Sequence, residues 1–371
     1  MSKIDDLIKE LCPDGMRFVR VGDVAVIGTG RSDRKDAVEN GQYPFYVRSK
    51  IVSRIDRYSF DEEAIIIPGE GGVGDIFHYV NGKYDLHQRA YRIVFTTDEV
   101  NTKYALYYFM SHFKSFITLK AVNATVTSIR KPMIEDFPIP IPPLEVQKEI
   151  VRVLDSFTEL EAELEAELEA RKKQYEYYRN TLLTFNERER VEYVQIGDIC
   201  NISRGRVMSK SYLIDNVGDY PVYSSQTANN GVFGYINTYD YDKESITWTT
   251  DGANAGSVFY HNNEEFSITN VCGLLVPKRD RVKVKYLYYI LQITLKKYVN
   301  SGMGNPKLMS NTISKVKIPV PSLEKQKQIV SILDKFDALV NDISTGLPAE
   351  IEARRKQYEY YRNKLLTFKE V

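Results

Sequence analysis

The chain has little of what metal and redox chemistry uses. Its three cysteines, Cys12, Cys200 and Cys272, stand alone with no CxxC pair, which argues against a disulfide framework or a zinc site and fits a reducing, cytoplasmic setting. The four histidines, His78, His87, His112 and His261, have neither HExxH spacing nor a cysteine partner, so metalloenzyme and triad patterns are missing. No GxxxxGK[ST] phosphate loop occurs, and neither does the Asn- or Asp-Pro-Pro-Tyr/Phe tetrapeptide of adenine methyltransferases. No apolar run is long enough to span a membrane, and MSKIDDLIKEL at the start is too charged for a signal peptide. Excess charge is absent too: Lys plus Arg and Asp plus Glu both number 50, so any nucleic-acid surface has to be a local patch. Gly69-Glu70-Gly71-Gly72-Val73-Gly74 formally matches GxGxxG, but a dinucleotide site needs a helix next. The following DIFHYVNGKYD reads as a hairpin turning at Val80-Asn81-Gly82-Lys83, so the glycines serve a close backbone approach instead.

What the chain does have is a long helical stretch carried twice, from Leu144 to Phe185 and from Leu323 to Phe368. The octet KQYEYYRN is identical in both, at Lys173 to Asn180 and at Lys356 to Asn363, and a proline signal precedes each copy, IPIPPLE (Ile139 to Glu145) and IPVPSLE (Ile318 to Glu324). Phe157, Leu160, Leu164, Leu168, Tyr175, Tyr178 and Leu182 recur at steps of three, four or seven, an apolar seam on a rod of roughly 60 Å. The obvious cover for such a seam is the other copy. The second rod carries four more residues and an interruption, ISTGLPAE (Ile343 to Glu350), whose Gly-Leu-Pro should break or kink the helix.

The segments between the rods repeat as well. FVRVGDVAVIGTGR (Phe18 to Arg31) answers YVQIGDICNISRGR (Tyr193 to Arg206), YPFY (Tyr43 to Tyr46) answers YPVY (Tyr220 to Tyr223), and a helical stretch Lys103 to Lys120 answers Lys285 to Val299. The fold class is mixed α/β (α+β): two globular domains related by an internal repeat, separated by two long antiparallel coiled-coil-like helices. The expected boundaries are 1–143 for the first domain with a short N-terminal helix, 144–186 for the first rod, 187–322 for the second domain and 323–371 for the second rod. Residues 47–62 and 224–241 share almost nothing, as two modules reading different targets would show and as drift of surface loops would show too.

Side chains able to reach base edges or phosphates cluster in these loops. The first domain has Arg31, Arg34, Lys35, Arg48, Lys50, Arg54 and Arg57; the second has Arg204, Arg206, Lys210, Ser225, Gln226, Thr227, Asn229 and Asn230. Arg suits guanine and phosphate, and Gln and Asn suit adenine. In the octets, Tyr175, Tyr178 and Arg179 with Tyr358, Tyr361 and Arg362 are residue types enriched at interface hot spots. Identical patches fit two copies of one partner, and equally fit packing of the octets against each other around a pseudo-twofold.

Two dissimilar globular units, each followed by a near-identical rod led in by Pro-Leu-Glu-x-Gln-x-x-Ile-Val-x-x-Leu-Asp (Pro143 to Asp155, and Ser322 to Asp334 with serine for the proline), resemble the specificity subunit of type I restriction-modification systems over essentially the whole chain. The resemblance implies that each domain reads one half of a bipartite duplex DNA site. The paired helices would set the spacer and dock two modification (methyltransferase) subunits, with restriction (translocase and nuclease) subunits as a further partner. It implies no catalysis and no cofactor on this chain, with S-adenosylmethionine, ATP and Mg on the partner subunits. The N-terminal helix would complete the C-terminal rod, the family's repeats being arranged circularly. A stand-alone DNA-binding regulator and a coiled-coil scaffold without DNA binding are the competing readings.

Overall fold

The computed structural model describes residues 2–120, 128–278, 281–302 and 304–370. In chain order the elements are α1 (Ser2–Leu11), β1 (Phe18–Arg20), α2 (Val21–Val24), β2 (Ala25–Thr29), β3 (Tyr43–Tyr46), β4 (Ser53–Ile55), β5 (Phe60–Pro68), β6 (His78–Leu86), β7 (Ala90–Phe95), α3 (Thr102–Lys120), α4 (Lys131–Glu135), β8 (Pro138–Pro140) and α5 (Leu144–Leu182). They continue as β9 (Glu192–Gln195), α6 (Ile196–Ile199), β10 (Cys200–Arg204), α7 (Lys210–Asp215), β11 (Tyr220–Tyr223), β12 (Val232–Ile236), β13 (Ser245–Thr249), β14 (Val258–His261), β15 (Ser267–Ile268), β16 (Cys272–Pro277), α8 (Val284–Thr294), α9 (Ser310–Ile313), β17 (Lys317–Val320), α10 (Leu323–Asn341) and α11 (Leu347–Leu365).

The chain forms two compact units that cut across the sequence repeat. One comprises Met1–Glu165 with Glu350–Val371, the other Ala166–Ala349. In the first, the sheet runs β2-β7-β5-β6-β3-β4, antiparallel except where β3 lies parallel to β6. In the second, β10-β16-β13-β14 form one sheet and β12-β11-β15 another, with β11 parallel to β15. The difference lies in one strand. By register Tyr79 sits opposite Ile65 and Tyr260 opposite Ile246, so β6 corresponds to β14 plus β15. The expected turn at Asn81-Gly82 does not form: both residues are paired inside β6, to Glu63 and Glu62. The nine-residue β5 supplies a ladder past that point, and Gly82 stays in the strand at φ 120°. The second unit's β13 is only five residues long, and there the chain leaves the sheet at Asn262-Asn263, with Asn263 at φ 51°. The glycine run 69–74 is followed by β6, not by a helix, which removes the dinucleotide reading.

Each rod begins where the sequence signal places it. In the first copy β8 pairs with β1, and in the second β17 pairs with β9, so the Ile-Pro-x-Pro stretches are short edge strands in which proline withholds no needed donor. Ser322, standing where the first copy has Pro143, caps α10 by accepting from the Lys325 amide. The motif's glutamine then staples the junction. Gln147, wholly buried, accepts from the Asn101 amide (2.8 Å) and donates to the Glu99 and Pro142 carbonyls (2.7 Å each). Gln326 repeats this with the Lys283 amide (2.9 Å) and the Arg281 and Pro321 carbonyls (3.1 and 2.9 Å).

The expected break in the second rod falls between α10 and α11. Asp342 accepts from the Ser344 and Thr345 amides and hydroxyls, which turns the chain, and Pro348 sits within the first turn of α11, where a missing N–H costs nothing. Those four bonds hold the Asp342 carboxyl far below its usual range.

In both units the seam of a rod is covered by the other copy's rod. In the first, Phe157 meets Tyr358 and Tyr361 while Glu161 and Glu165 pair with Arg355 (2.6 and 2.5 Å), so numbering rises along α5 as it falls along α11: the helices run antiparallel. In the second, Tyr175 and Tyr178 of α5 stack on Phe336 of α10. The N-terminal helix α1 joins the first core through buried Ile4, and the Met16 amide bonds the Lys369 carbonyl just beyond α11.

Candidate nucleic-acid interface

Two glycines decide where the loops leave the sheet. A Cβ on Gly30 would lie 1.7 Å from the Leu86 carbonyl oxygen, and one on Gly205 would lie 1.8 Å from that of Ile268. No other residue fits at either crossing, and each glycine is followed by an arginine, Arg31 or Arg206, at the start of a divergent segment.

In the first unit the basic candidates gather at the β3–β4 end of the sheet. Arg34 and Arg48 line one cleft of about 430 Å³ with Ser49, Ser53, Glu70 and His87. Ile51 stands at its rim, 79% exposed. Arg48 and Arg89 share Glu70 (3.0 and 2.9 Å); the hydrogen-bonded Arg89, with Arg48, holds its carboxyl below the usual range. Burial, aided by Arg48, pushes His87 down, leaving a neutral ring in the wall. Arg31, Arg34, Lys35 and Lys50 are exposed and enter no ion pair among the described residues, so their charge faces solvent. Arg54 differs: its guanidinium donates to the Gly41 and Gln42 carbonyls (2.9 and 2.7 Å) and ties down the 38–42 loop. Arg57 is spent on Asp36 (3.1 Å) and on the buried Asp85 (3.4 Å).

The second unit uses its polar groups more internally. Arg204 donates to Thr250 Oγ1 (3.1 Å), and Arg206 to Asp240 and the Tyr212 hydroxyl (3.1 and 2.9 Å). Ser225 donates to the Val271 carbonyl and Gln226 to that of Val232, so both hold loop backbone. Thr227 Oγ1 accepts from Asn254 (3.1 Å). Asn229 and Asn230 form the exposed tip in left-handed conformation (φ 49° and 52°), which asparagine tolerates. Lys210 is exposed at the start of α7. Around it Val207, Ile214 and Val217 are 78, 73 and 73% exposed, apolar groups of the kind that contact thymine methyls, and no polar-residue search of the sequence would find them.

The two octets belong to different compact units. Each packs on the other copy's rod in the same way: Tyr175 and Tyr178 on Phe336 (6.4 and 5.2 Å between centroids), Tyr358 and Tyr361 on Phe157 (6.3 and 5.4 Å). Arg179 lies over Tyr175 at 5.2 Å, and Arg362 over Tyr358 at 5.5 Å. Burial drives the Tyr175 hydroxyl well above its usual range. The outward members are Tyr177 and Tyr360, 65 and 61% exposed. Their tyrosine neighbours mask them in the sequence, and only the helix face separates them.

Among the described residues no cluster of three His, Cys, Asp or Glu could hold a metal ion, and no helix is long and apolar enough to cross a membrane. His261 is spent on Thr247 Oγ1 (2.8 Å) and Glu264.

Matched scaffolds with unlike loops, each seated on paired helices, define a two-module recognition protein. The chain belongs to the type I restriction modification DNA specificity domain family, which it matches twice, over residues 13–170 and 188–353. It is 31% identical over 369 residues to a Haemophilus influenzae protein named as a type I restriction enzyme specificity subunit, across 92% of this chain and 93% of that one. It is 41% identical over 240 residues to a type I specificity subunit named in Mycoplasma pneumoniae, across 63% of this chain and 97% of that one. The fold is similar to the crystal structure of a type I restriction-modification S subunit from M. genitalium, with TM-score 0.65 at 18% identity over 95% of this chain and 97% of that one.

Proposed function

We propose that this chain is the DNA sequence-recognition subunit of a type I restriction-modification enzyme. Each globular module reads one half of a bipartite duplex site, and the paired helices set the spacer and dock two modification subunits, with restriction subunits as further partners. The chain is not itself an enzyme. S-adenosylmethionine, ATP and Mg belong to the partner subunits, and the assembly works in the cytoplasm. The observation that carries the reading is that one DNA specificity domain occurs twice, on matched scaffolds whose loops differ.

In the first module, Arg31, Arg34, Lys35, Arg48 and Lys50 face the DNA, Arg48 and Arg34 from the cleft walls. In the second, Arg206, Lys210, Thr227, Asn229 and Asn230 do so, while Arg54, Arg204, Ser225 and Gln226 shape the loops that carry them. Partner docking uses the outward Tyr177 and Tyr360, seated by the inner octet residues Tyr175, Tyr178, Arg179, Tyr358, Tyr361 and Arg362. The test is to coexpress the chain with its modification subunits in a methylation-free host and map the methylated bases. A two-part motif with a fixed spacer is expected, and exchanging residues 20–138 for another such module should change one half only. Absence of a two-part motif, or alteration of both halves, refutes the reading.

A further inference from the structure

The repeat signature ends in Leu-Asp, at Asp155 and Asp334, and DNA reading does not account for that aspartate. In the first unit Asp155, on α5, accepts from Lys103 Nζ (2.8 Å) and from the Tyr107 hydroxyl (2.6 Å), both on α3. Lys103 also lies over the Tyr79 ring at 5.7 Å, and the Tyr79 hydroxyl donates to Glu63 (2.7 Å), which places the chain's far end on β6 and β5. The second unit repeats every link. Asp334 on α10 pairs with Lys285 (3.0 Å) and accepts from Tyr289 (2.5 Å); Lys285 lies over Tyr260 at 5.3 Å, and Tyr260 donates to Glu244 (2.6 Å). Five residues, an Asp, a Lys, two Tyr and a Glu, recur in one order at equivalent positions, while the surrounding loops share almost nothing.

The links run from the sheet of a recognition module, through its packed helix, to its rod. Apolar packing between a helix and a sheet tolerates small slides, because dispersion and burial are nearly non-directional. Charge-assisted hydrogen bonds to one carboxylate are directional and resist both sliding and rotation. Two residues on from each aspartate stands the phenylalanine that seats the octet, Phe157 or Phe336; at 100° per residue the two side chains leave opposite faces of the rod. The Asp-x-Phe element therefore grips the module on one side and the other copy's rod on the opposite side.

We propose that Asp155 and Asp334 are positioning residues that lock each recognition module to its rod through Lys103 and Tyr107 or Lys285 and Tyr289, and so set how strictly the enzyme accepts one spacer length. This rests on the bipartite reading above. The test uses the full chain with its modification subunits in a methylation-free host, with Lys103→Met, Lys103→Arg and Asp155→Asn compared with the unaltered chain by genome-wide mapping of methylated bases. With Lys103→Met and Asp155→Asn, methylation at spacers one base pair longer or shorter should rise about tenfold, the worth of one lost charge-assisted bond, with both half-site sequences unchanged. Lys103→Arg, which keeps the cation, should restore the single spacer. A merely structural role lowers the melting temperature and leaves spacer choice alone, and that outcome in assembled, folded variants overturns the proposal. Where Asp155→Asn does not fold, Tyr107→Phe removes one bond without a charge and decides the matter by the same readout. If the unaltered chain yields no two-part motif, the bipartite reading fails; if it does and the variants match it, only this inference fails.

Discussion

Replacing Gln147 by leucine should cost the first unit about 3 kcal/mol. The two side chains have similar volume, so no cavity forms, and the loss comes from unpairing. Three backbone groups lose their partner: the Asn101 amide and the Glu99 and Pro142 carbonyls. A buried unpaired group costs about 1–3 kcal/mol. Asn101 is half-buried and Glu99 exposed, so water reaches that end and about 1 kcal/mol each applies there, whereas Pro142 is buried and nearer 2. The added apolar surface returns about 1 kcal/mol. Gln147→Glu adds a pH test. Its carboxylate would be buried against two carbonyl oxygens, which raises its pKa when folded. Its stability is then greatest below about pH 4.3, the unfolded value, and falls as pH rises through the folded value. Urea unfolding read by near-ultraviolet circular dichroism measures both. Because Gln326 does the same work in the other compact unit, Gln326→Leu should show a similar loss and the double variant their sum. Losses under about 1 kcal/mol would mean that the staple is dispensable and refute the reasoning.

Three further outcomes follow from particular contacts. Glu149, hydrogen-bonded by Arg152 and also paired with Lys3 of α1, is held down to about 2; the stability that wild type holds over Glu149→Gln should be full above about pH 4.3 and vanish as pH falls towards 2, in a urea series against pH. A difference that stays constant with pH would place that stability elsewhere. Inserting Leu-Glu-Ala-Glu after Glu167, beyond the Arg355 contacts, lengthens α5 by about 6 Å and rotates it ~40°; since one base pair advances ~3.4 Å and turns roughly 34°, the mapped spacer should grow by one pair with both half-sites kept. An unchanged spacer would show that α5 is not the ruler. Tyr177→Ala with Tyr360→Ala should weaken binding of modification subunits about 30-fold, the loss typical of an aromatic anchor, in a titration where circular dichroism is unchanged.

The sequence alone determined the architecture at the level of repeats: two mixed α/β modules, two rods and the family, because proline lead-ins, heptad-like seams and identical octets are local patterns that survive without knowledge of contacts. It also located the break before α11, since Gly346-Leu347-Pro348 cannot continue a helix from α10 whatever surrounds it. Tertiary structure decided what those patterns touch. Asn81-Gly82 has the chemistry of a turn, yet the long partner β5 keeps it extended, because a ladder outweighs a local preference. Each octet lies on the other copy's phenylalanine inside its own compact unit, a pairing that no linear reading contains. Among the loop residues, an arginine committed to backbone carbonyls, as Arg54 is, and one facing solvent, as Arg31 is, look alike in sequence. Only the fold distinguishes them, because a guanidinium's freedom depends on which acceptors the distant chain brings within about 3 Å.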